Sequence, residues 1–496
     1  MSDNLEASES GTAGGMQPHS PSPIPSPASF RDPSGFMYVR NGDIFRQVNH
    51  VYRTHYDRLL GSGLYDALVG RGWLIEHEEV AEPAADERSA YKILKPRRID
   101  FISYPYEWSF SQLQDAALLT LDVQLLALEH DLSLKDASAY NVQFDAGKPI
   151  LIDTLSFESY EEGRPWVAYR QFCQHFLAPL ALMARTDVRL NQLLRSYIDG
   201  VPLDLASALL PVGTRFQLGL GLHIHLHART QRAYSSTEGA QPKRSVRVSR
   251  IGLTGMLQGL RKLVAKLRWN PAGTEWGDYY QATNYTDAAF EHKQRLVAEY
   301  LESIRPGRVW DLGANTGVFS RIASRIGAST VAFDIDPAAV ESNYRVVKHD
   351  GGAQPLPLLL DLTNPSPGLG WAGAERDSLE TRGPVDCVMA LALIHHLAIS
   401  NNVPLLKVAS YLAELCEYLV IEFVPKSDSQ VRRLLSARED IFNEYDQAHF
   451  EVAFSVYFTI VRAEAVEGTE RTLYLMKKNT AAVSCGSATG GAHVEV

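Results

Sequence analysis

The C-terminal half of this chain is predicted to be α/β, a largely parallel sheet with helices on both faces, and a separate α+β region is predicted before it. Three observations carry that reading. From residue 287 onward, short β-branched runs alternate with stretches of helical periodicity. The first of those runs ends in a glycine-containing turn that opens a helix. The composition shifts once, at residues 239–273, where eight Lys or Arg occur without a single acid, so the chain divides there.

Composition narrows the class. With 58 acidic against 48 basic residues, 45% hydrophobic and 21% charged residues, the chain reads as an ordinary soluble globular protein, not a collagen-like, wholly disordered or membrane-spanning one. It contains no uninterrupted apolar run of ~18 residues, and its first residues lack the basic-then-apolar order of a secretory signal, so a cytoplasmic protein is expected. Cys173, Cys387, Cys416 and Cys485 lie far apart without a CxxC pair. They are expected to be reduced and structural, and no metal centre is expected.

Taken in order, residues 1–29 are rich in Ser, Pro and Gly and read as a disordered tail. Residues 30–238 form the α+β region. Within it GFMYVRNGDIFRQV reads as a hairpin, because Asn41-Gly42 supplies the positive φ angles of a type I′ turn. A helix is expected over Ser111–His130, from the spacing of Leu113, Ala116, Ala117, Leu121, Leu125 and Leu126, followed by strands at Val142–Phe144 and Ile150–Ile152. His223, His225 and His227 alternate in LHIHLHA; on a strand they would share a face, but the surrounding leucines favour a buried helix over a zinc site. The basic segment 239–273 places Ile251, Leu253, Met256, Leu257, Leu260, Leu263, Val264 and Leu267 at helical spacing, which reads as an amphipathic linker helix packed on acidic domains. No nucleic-acid partner and no stable membrane association are expected from it.

Residues 274–478 carry the alternating pattern. Helices are expected at Asp287–Ile304, Val318–Ile326, Pro337–Val347, Val403–Leu415 and Ser429–Ala437. Strands are expected at Arg308–Leu312, Thr330–Asp334, Leu356–Leu360, Val385–Leu391 and Tyr418–Val424, with a late antiparallel pair near Ala453–Ile460 and Arg471–Lys477. A second disordered tail follows at 479–496.

The most informative segment is Val309-Trp310-Asp311-Leu312-Gly313-Ala314-Asn315-Thr316-Gly317. At the carboxyl end of a first parallel strand, glycines admit a ligand close to the backbone and the following helix offers free N–H donors. Asp334, ending the second strand, is positioned to accept from both ribose hydroxyls of a nucleotide-type cofactor. Asp311 opposes a diphosphate and suits a cationic ammonium or sulfonium, and Asp361 can accept from an adenine amino group.

These residues resemble the motifs of the class I S-adenosylmethionine-dependent methyltransferases, with Asp311–Gly317, Asp334, Asp361 and Asp386–His396 matching in order over about residues 275–478. SYPYEWSF at 103–110, LKDASAYN at 134–141, IDTLSFESY at 152–160, LALIHHLAIS at 391–400, IEFVPKSD at 421–428 and RTLYLMKK at 471–478 resemble the NoeA-like family of rhizobial nodulation methyltransferases over nearly the whole ordered chain. The resemblance implies a Rossmann-like seven-stranded sheet and S-adenosyl-L-methionine held by Asp311, Gly313, Asn315, Gly317, Asp334 and Asp361. It also implies a methyltransferase but identifies no acceptor; a small-molecule or saccharide-like methyl acceptor is expected.

Methyl transfer is an in-line displacement, so alignment and exclusion of water contribute most and a base is needed only if the acceptor loses a proton. His395 and His396 are the candidate catalytic pair; Glu422 could also face the acceptor. Tyr279, Tyr280, Asn284 and Tyr285 stand where they could close over the cofactor. One alternative is a scaffold that binds the cofactor without turnover. Another comes from Asp136, Asn141 and Asp153, which resemble the catalytic and metal-binding loops of protein-kinase-like and aminoglycoside-phosphotransferase-like enzymes. That resemblance implies that Asp136 orients an acceptor hydroxyl and that Asn141 and Asp153 hold Mg²⁺. No G-x-G-x-x-G loop precedes them, and Lys92 and Lys95 lie outside any V-A-I-K strand. A degenerate kinase-like lobe, used for binding, is expected.

Overall fold

The computed structural model describes residues 23–228, 247–271, 286–351, 354–436 and 438–479. The tails at 1–22 and 480–496, part of the basic segment, Cys485, and Tyr279, Tyr280, Asn284 and Tyr285 lie outside the described residues. Two compact units are formed, Met1–Arg53 with His77–Pro96, and Thr54–Glu76 with Arg97–Val496.

The first unit is an antiparallel five-stranded sheet in the order β1-β2-β3-β5-β4, made of β1 (Ile24–Pro25), β2 (Gly35–Arg40), β3 (Asp43–Asn49), β4 (His77–Glu79) and β5 (Ala90–Pro96). Its hairpin closes with Arg40 opposite Asp43 and with Asn41 and Gly42 at φ +54° and +84°, the turn expected from Asn-Gly. Tyr38, Phe45 and Ile93 are buried at its centre. Within the stretch 1–29 expected to be disordered, Ile24 and Pro25 form a strand that pairs with Val39 and Tyr38. Proline is tolerated there because the strand is an edge.

In the second unit, β6 (Leu132–Leu134) pairs with β9 (Phe157–Ser159), and β7 (Val142–Asp145) pairs with β8 (Lys148–Leu151). Helix α1 (Phe110–Glu129) precedes them, its Ser109 cap accepting from the Gln112 amide while the Gln112 side chain accepts from Ser109. The large sheet contains β10 (Arg308–Leu312), β11 (Ser329–Asp334), β12 (Leu356–Leu359), β13 (Val385–Ala390), β14 (Cys416–Phe423), β15 (Phe458–Ala465) and β16 (Thr472–Lys478), in the order β12-β11-β10-β13-β14-β16-β15. The first five run parallel and β16 and β15 join antiparallel. Consecutive strands lie to one side of β10 and later ones to the other, so a crevice opens at its carboxyl end.

One expected element differs. Residues 453–455 belong to a helix, Gln447–Ser455, and β15 starts at Phe458. Asp446 caps that helix by accepting from the His449 amide (2.9 Å), and Phe450 and Phe454, four apart, are buried on one face. A run of aromatic and β-branched residues here follows the helical period.

The expected boundary between residues 238 and 274 does not separate two cores. Phe101 packs edge-on against Trp310 and Phe333 of the large sheet, with ring centres 5.9 Å apart in both cases. The basic helix Arg250–Lys266 buries Leu253, Leu257, Leu260 and Val264. It lies beside α1, with Arg261 forked onto Asp122 (2.6 and 3.0 Å) and Gln114 donating to the carbonyls of Val264 and Leu267. Among the described residues no helix is long and apolar enough to cross a membrane.

Candidate functional site

A cavity of about 410 Å³ opens at the carboxyl ends of β10, β11 and β13, lined by Asp311, Gly313, Asn315, Asp334, Asp361 and His396 among others. The strand-to-helix turn sets its floor. Gly313 sits at φ +77°, where a side chain is strained, and a Cβ there would press on Leu393 at 3.3 Å. Gly317 is also left-handed but does not line the cavity; a Cβ on it would strike the Asn343 amide, so packing accounts for that glycine.

The two strand-end acids are buried. Asp311 is 2% exposed and accepts from Ser320 Oγ (2.6 Å). Burial pushes its carboxyl up to about 7, against the hydrogen bond from Ser320. Asp334 accepts from the amides of Asn315 (2.7 Å) and Asp336 (2.8 Å), so it ties the glycine turn to the end of β11. Burial raises it to about 6 despite those two donors. Asp361 accepts from the amide and hydroxyl of Thr363 (2.9 and 2.6 Å), beside Leu362, which also lines the cavity. Asp386 does not reach the cavity; it accepts from the amides of Gly307 and Arg308 at the start of β10.

The two histidines part company. His396 lines the cavity, whereas His395 is 1% exposed, absent from its wall, and leaves Nδ1 without a hydrogen-bond partner. Burial holds His396 near 4 and His395 well below the ordinary imidazole range, so both are neutral at pH 7. Glu422, ending β14, is fully buried and accepts from Lys293 Nζ at 2.6 Å. Arg471 stands 3.9 Å from the other Glu422 oxygen and donates to Asp428 at 2.9 Å. Lys293, Arg471 and Asp428 were not expected from the motifs. One signal was present: Lys293 falls on the apolar stripe of Asp287–Ile304, in phase with Ala289, Leu296, Val297, Tyr300 and Leu301.

These residues fit S-adenosylmethionine. The left-handed Gly313 leaves room beside the backbone, and Asp334 and Asp361 stand after successive strands as carboxylates able to accept from hydroxyl and amino groups. Ile335, Leu362 and Leu393 give apolar walls for a flat base, and Asp311 presents a buried carboxyl to a cationic group.

Elsewhere in the second unit, Asp136, Asn141 and Asp153 lie together. Asn141 and Asp153 both bond Ser156 Oγ, and the Asp136 carboxyl is raised, first by burial and then by the charge of Asp153. Much of their capacity is taken locally: Asp136 accepts from the Ser138 amide (2.8 Å) and Asp153 from the Leu155 amide (3.1 Å). Lys92 and Lys95 pair with Glu79 (2.6 Å) and Asp43 (2.9 Å) within the first unit. His223 and His225 have separate partners, Tyr169 for the first and Ser207 and Thr214 for the second, on a helical turn at Gly221–Leu226. Cys173, Cys387 and Cys416 are buried free thiols.

No family model matches the chain. The nodulation protein NoeA of Rhizobium meliloti (strain 1021) is 35% identical over 459 residues, covering 91% of this chain and 95% of the relative. Among solved structures, magnesium protoporphyrin IX methyltransferase (ChlM) from Synechocystis PCC 6803 with bound SAH is 19% identical, with a TM-score of 0.30 over 41% of this chain and 93% of that one. The N-methyltransferase NodS from Bradyrhizobium japonicum WM9, in complex with S-adenosyl-L-homocysteine, is 12% identical, with a TM-score of 0.30 over 42% and 94%.

Proposed function

The chain belongs to the family of the nodulation protein NoeA, and from that premise we propose that it is an S-adenosylmethionine-dependent methyltransferase acting on a small-molecule or saccharide-like acceptor. The observation that carries this reading is the cavity at the carboxyl end of β10, where a strained glycine turn and three strand-end acids, Asp311, Asp334 and Asp361, converge. When bound, the cofactor supplies a methyl group on a sulfonium, ready for in-line displacement.

The protein's part is then binding and alignment. Asp334 and Asp361 hold the nucleoside end, Asp311 offers charge to the cationic end, and Leu393 and Leu397 exclude water from the wall between. His396, neutral at pH 7, accepts a hydrogen bond from the acceptor's hydroxyl or amine and so holds its lone pair toward the methyl group, the proton passing to solvent after transfer. With its basicity held near 4, it contributes more to orientation than to proton removal. His395 supports it from behind, the two ring centres being 4.1 Å apart.

Calorimetric titration with S-adenosylmethionine, followed by detection of S-adenosylhomocysteine release over a panel of metabolites and saccharides, tests the proposal. Binding without release on any acceptor favours a scaffold; absence of binding ends the reading. A phosphotransferase is the second reading, favoured by the juxtaposition of Asp136, Asn141 and Asp153. Micromolar Mg²⁺–ATP binding abolished by Asp153→Ala would promote it. We expect no such binding, and unchanged S-adenosylmethionine affinity in that variant.

A further inference from the structure

Lys293 occupies a place that helix periodicity assigns to a hydrophobic residue, and its side chain is 3% exposed. Taking an ammonium out of water is costly even when it is paired. Its partner Glu422 and the neighbours Arg471 and Asp428 complete a group of two cations and two carboxylates, neutral as a whole. Such a group can generally be replaced by apolar residues of similar volume without loss of stability, so stability alone does not explain it.

What sets Lys293 apart from Glu422, Arg471 and Asp428 is that it lines the cavity, and they do not. Lysine and arginine are otherwise absent from the described residues of that wall, whose acids are Asp311, Asp334 and Asp361. Of these, Asp311 is close enough to Lys293 for each to feel the other's charge. Phe319, whose ring centre is 4.9 Å from the ammonium, lines the same wall, as does Phe290. The same cavity therefore offers Asp334 and Asp361 as acceptors for a nucleoside and, on its wall, a lysine within reach of the Asp311 charge.

We propose that Lys293 receives the α-carboxylate of the cofactor's amino-acid group while Asp311 faces its ammonium, so that the pair reads the zwitterion. This rests on the S-adenosylmethionine reading. Glu422 acts as a positioning residue, since its 2.6 Å contact holds the Lys293 ammonium against the cavity wall.

The test uses the full chain and three ligands: S-adenosylhomocysteine, its decarboxylated analogue, and 5′-methylthioadenosine, which lacks the amino-acid group altogether. Lys293→Met should weaken S-adenosylhomocysteine about tenfold or more, the usual effect of losing a charged hydrogen bond. The other two ligands should bind as before, so that discrimination for the carboxylate collapses. Because Lys293→Met leaves Glu422 buried without its nearest cation, the double variant Lys293→Met/Glu422→Gln is measured alongside, with the same result expected. A variant that binds 5′-methylthioadenosine normally and still prefers the carboxylated ligand overturns the proposal; the lysine would then serve an anionic acceptor or packing alone. A wild-type protein that binds none of the three ligands overturns the cofactor reading itself.

Discussion

Two buried ion pairs in the same unit are built in opposite ways. Glu107 and Arg382 close on themselves: Arg382 donates to both Glu107 oxygens (2.6 and 2.9 Å), Ser366 Oγ and the Tyr104 amide fill further lone pairs, and the guanidinium lies over the rings of Phe101 and Tyr104. Neither residue lines the cavity. Lys293 and Glu422 meet at 2.6 Å, with Arg471 standing off at 3.9 Å, and Lys293 lines the cavity. A pair saturated by its own protein locks two segments together, here Pro105–Glu107 and Leu379–Arg382. A pair with one member on a cavity wall keeps a charge in place for something that arrives.

Breaking the saturated pair should produce the largest effect. Arg382→Met leaves the Glu107 carboxylate buried and uncompensated, which costs about 3–5 kcal/mol. We expect a large fall in melting temperature, with S-adenosylhomocysteine affinity unchanged in the fraction that remains folded. A change in affinity without loss of stability would erase the contrast between the two pairs.

The next effect in size belongs to the cavity. Asp334→Ala removes two hydrogen bonds to a charged acceptor, each worth ~1.5–3 kcal/mol, and should weaken cofactor binding at least about tenfold by calorimetry. Gly313→Val should do the same through Leu393 and the left-handed backbone. Unchanged affinity in either folded variant would dissolve the site.

A smaller effect is set by pH. The Asp311 carboxyl is held up at about 7, so the ligand-free folded protein keeps that proton to higher pH than the unfolded chain does. For this group stability falls as pH rises from the ordinary carboxylate range of about 4 toward 7. A cationic ligand favours the ionised form, so affinity should rise between pH 6 and 8, and binding below pH 7 should release a proton. Calorimetry in two buffers of different ionisation enthalpy reads that proton directly. Asp311→Asn should flatten the dependence, and an unaltered pH profile would assign the proton elsewhere.

The smallest effect lies on the basic helix. Arg261 is 44% exposed in its pair with Asp122, and an exposed pair contributes about 0.2–1 kcal/mol. Changing Arg261, Lys262, Lys266 and Arg268 to Gln should lower stability slightly in chemical denaturation. Neither protein should sediment with anionic vesicles at low or moderate salt; sedimentation of the parent alone would turn the helix from a packing element into a membrane contact.

The parallel sheet was legible because its strands are apolar and all but Leu356–Leu359 are followed directly by a helical period; Arg308–Leu312, Asp287–Ile304 and the Asn41-Gly42 turn were all readable locally. Much of the cavity wall was readable too, since Asp311, Gly313, Asn315, Asp334 and Asp361 line it and glycines and acids at strand ends are chemically specific. What stayed hidden depends on distant residues. Gly317 looks like part of the binding turn, yet Asn343 decides it. His395 and His396 are adjacent in sequence, but only one lines the cavity. Lys293, the Glu422–Asp428 stretch and Arg471 come from three separated segments, so no window of sequence contains their network. The expected division at the basic segment failed because Phe101, Trp310 and Phe333 share one core across it.

The insertion of β16 between β14 and β15 also sets a timetable for synthesis. The strand that pairs with the β14 edge begins at Thr472, about fifty residues after β14 ends at Phe423. At roughly 5–20 residues per second, the ribosome takes several seconds to deliver it. During that interval the nascent chain presents β14 with an open, largely apolar edge, the kind that recruits strands from other chains. The last strand is thus also the cover for the sheet's most vulnerable border, and a stalled or shortened product lacking it would be a ready client for chaperones.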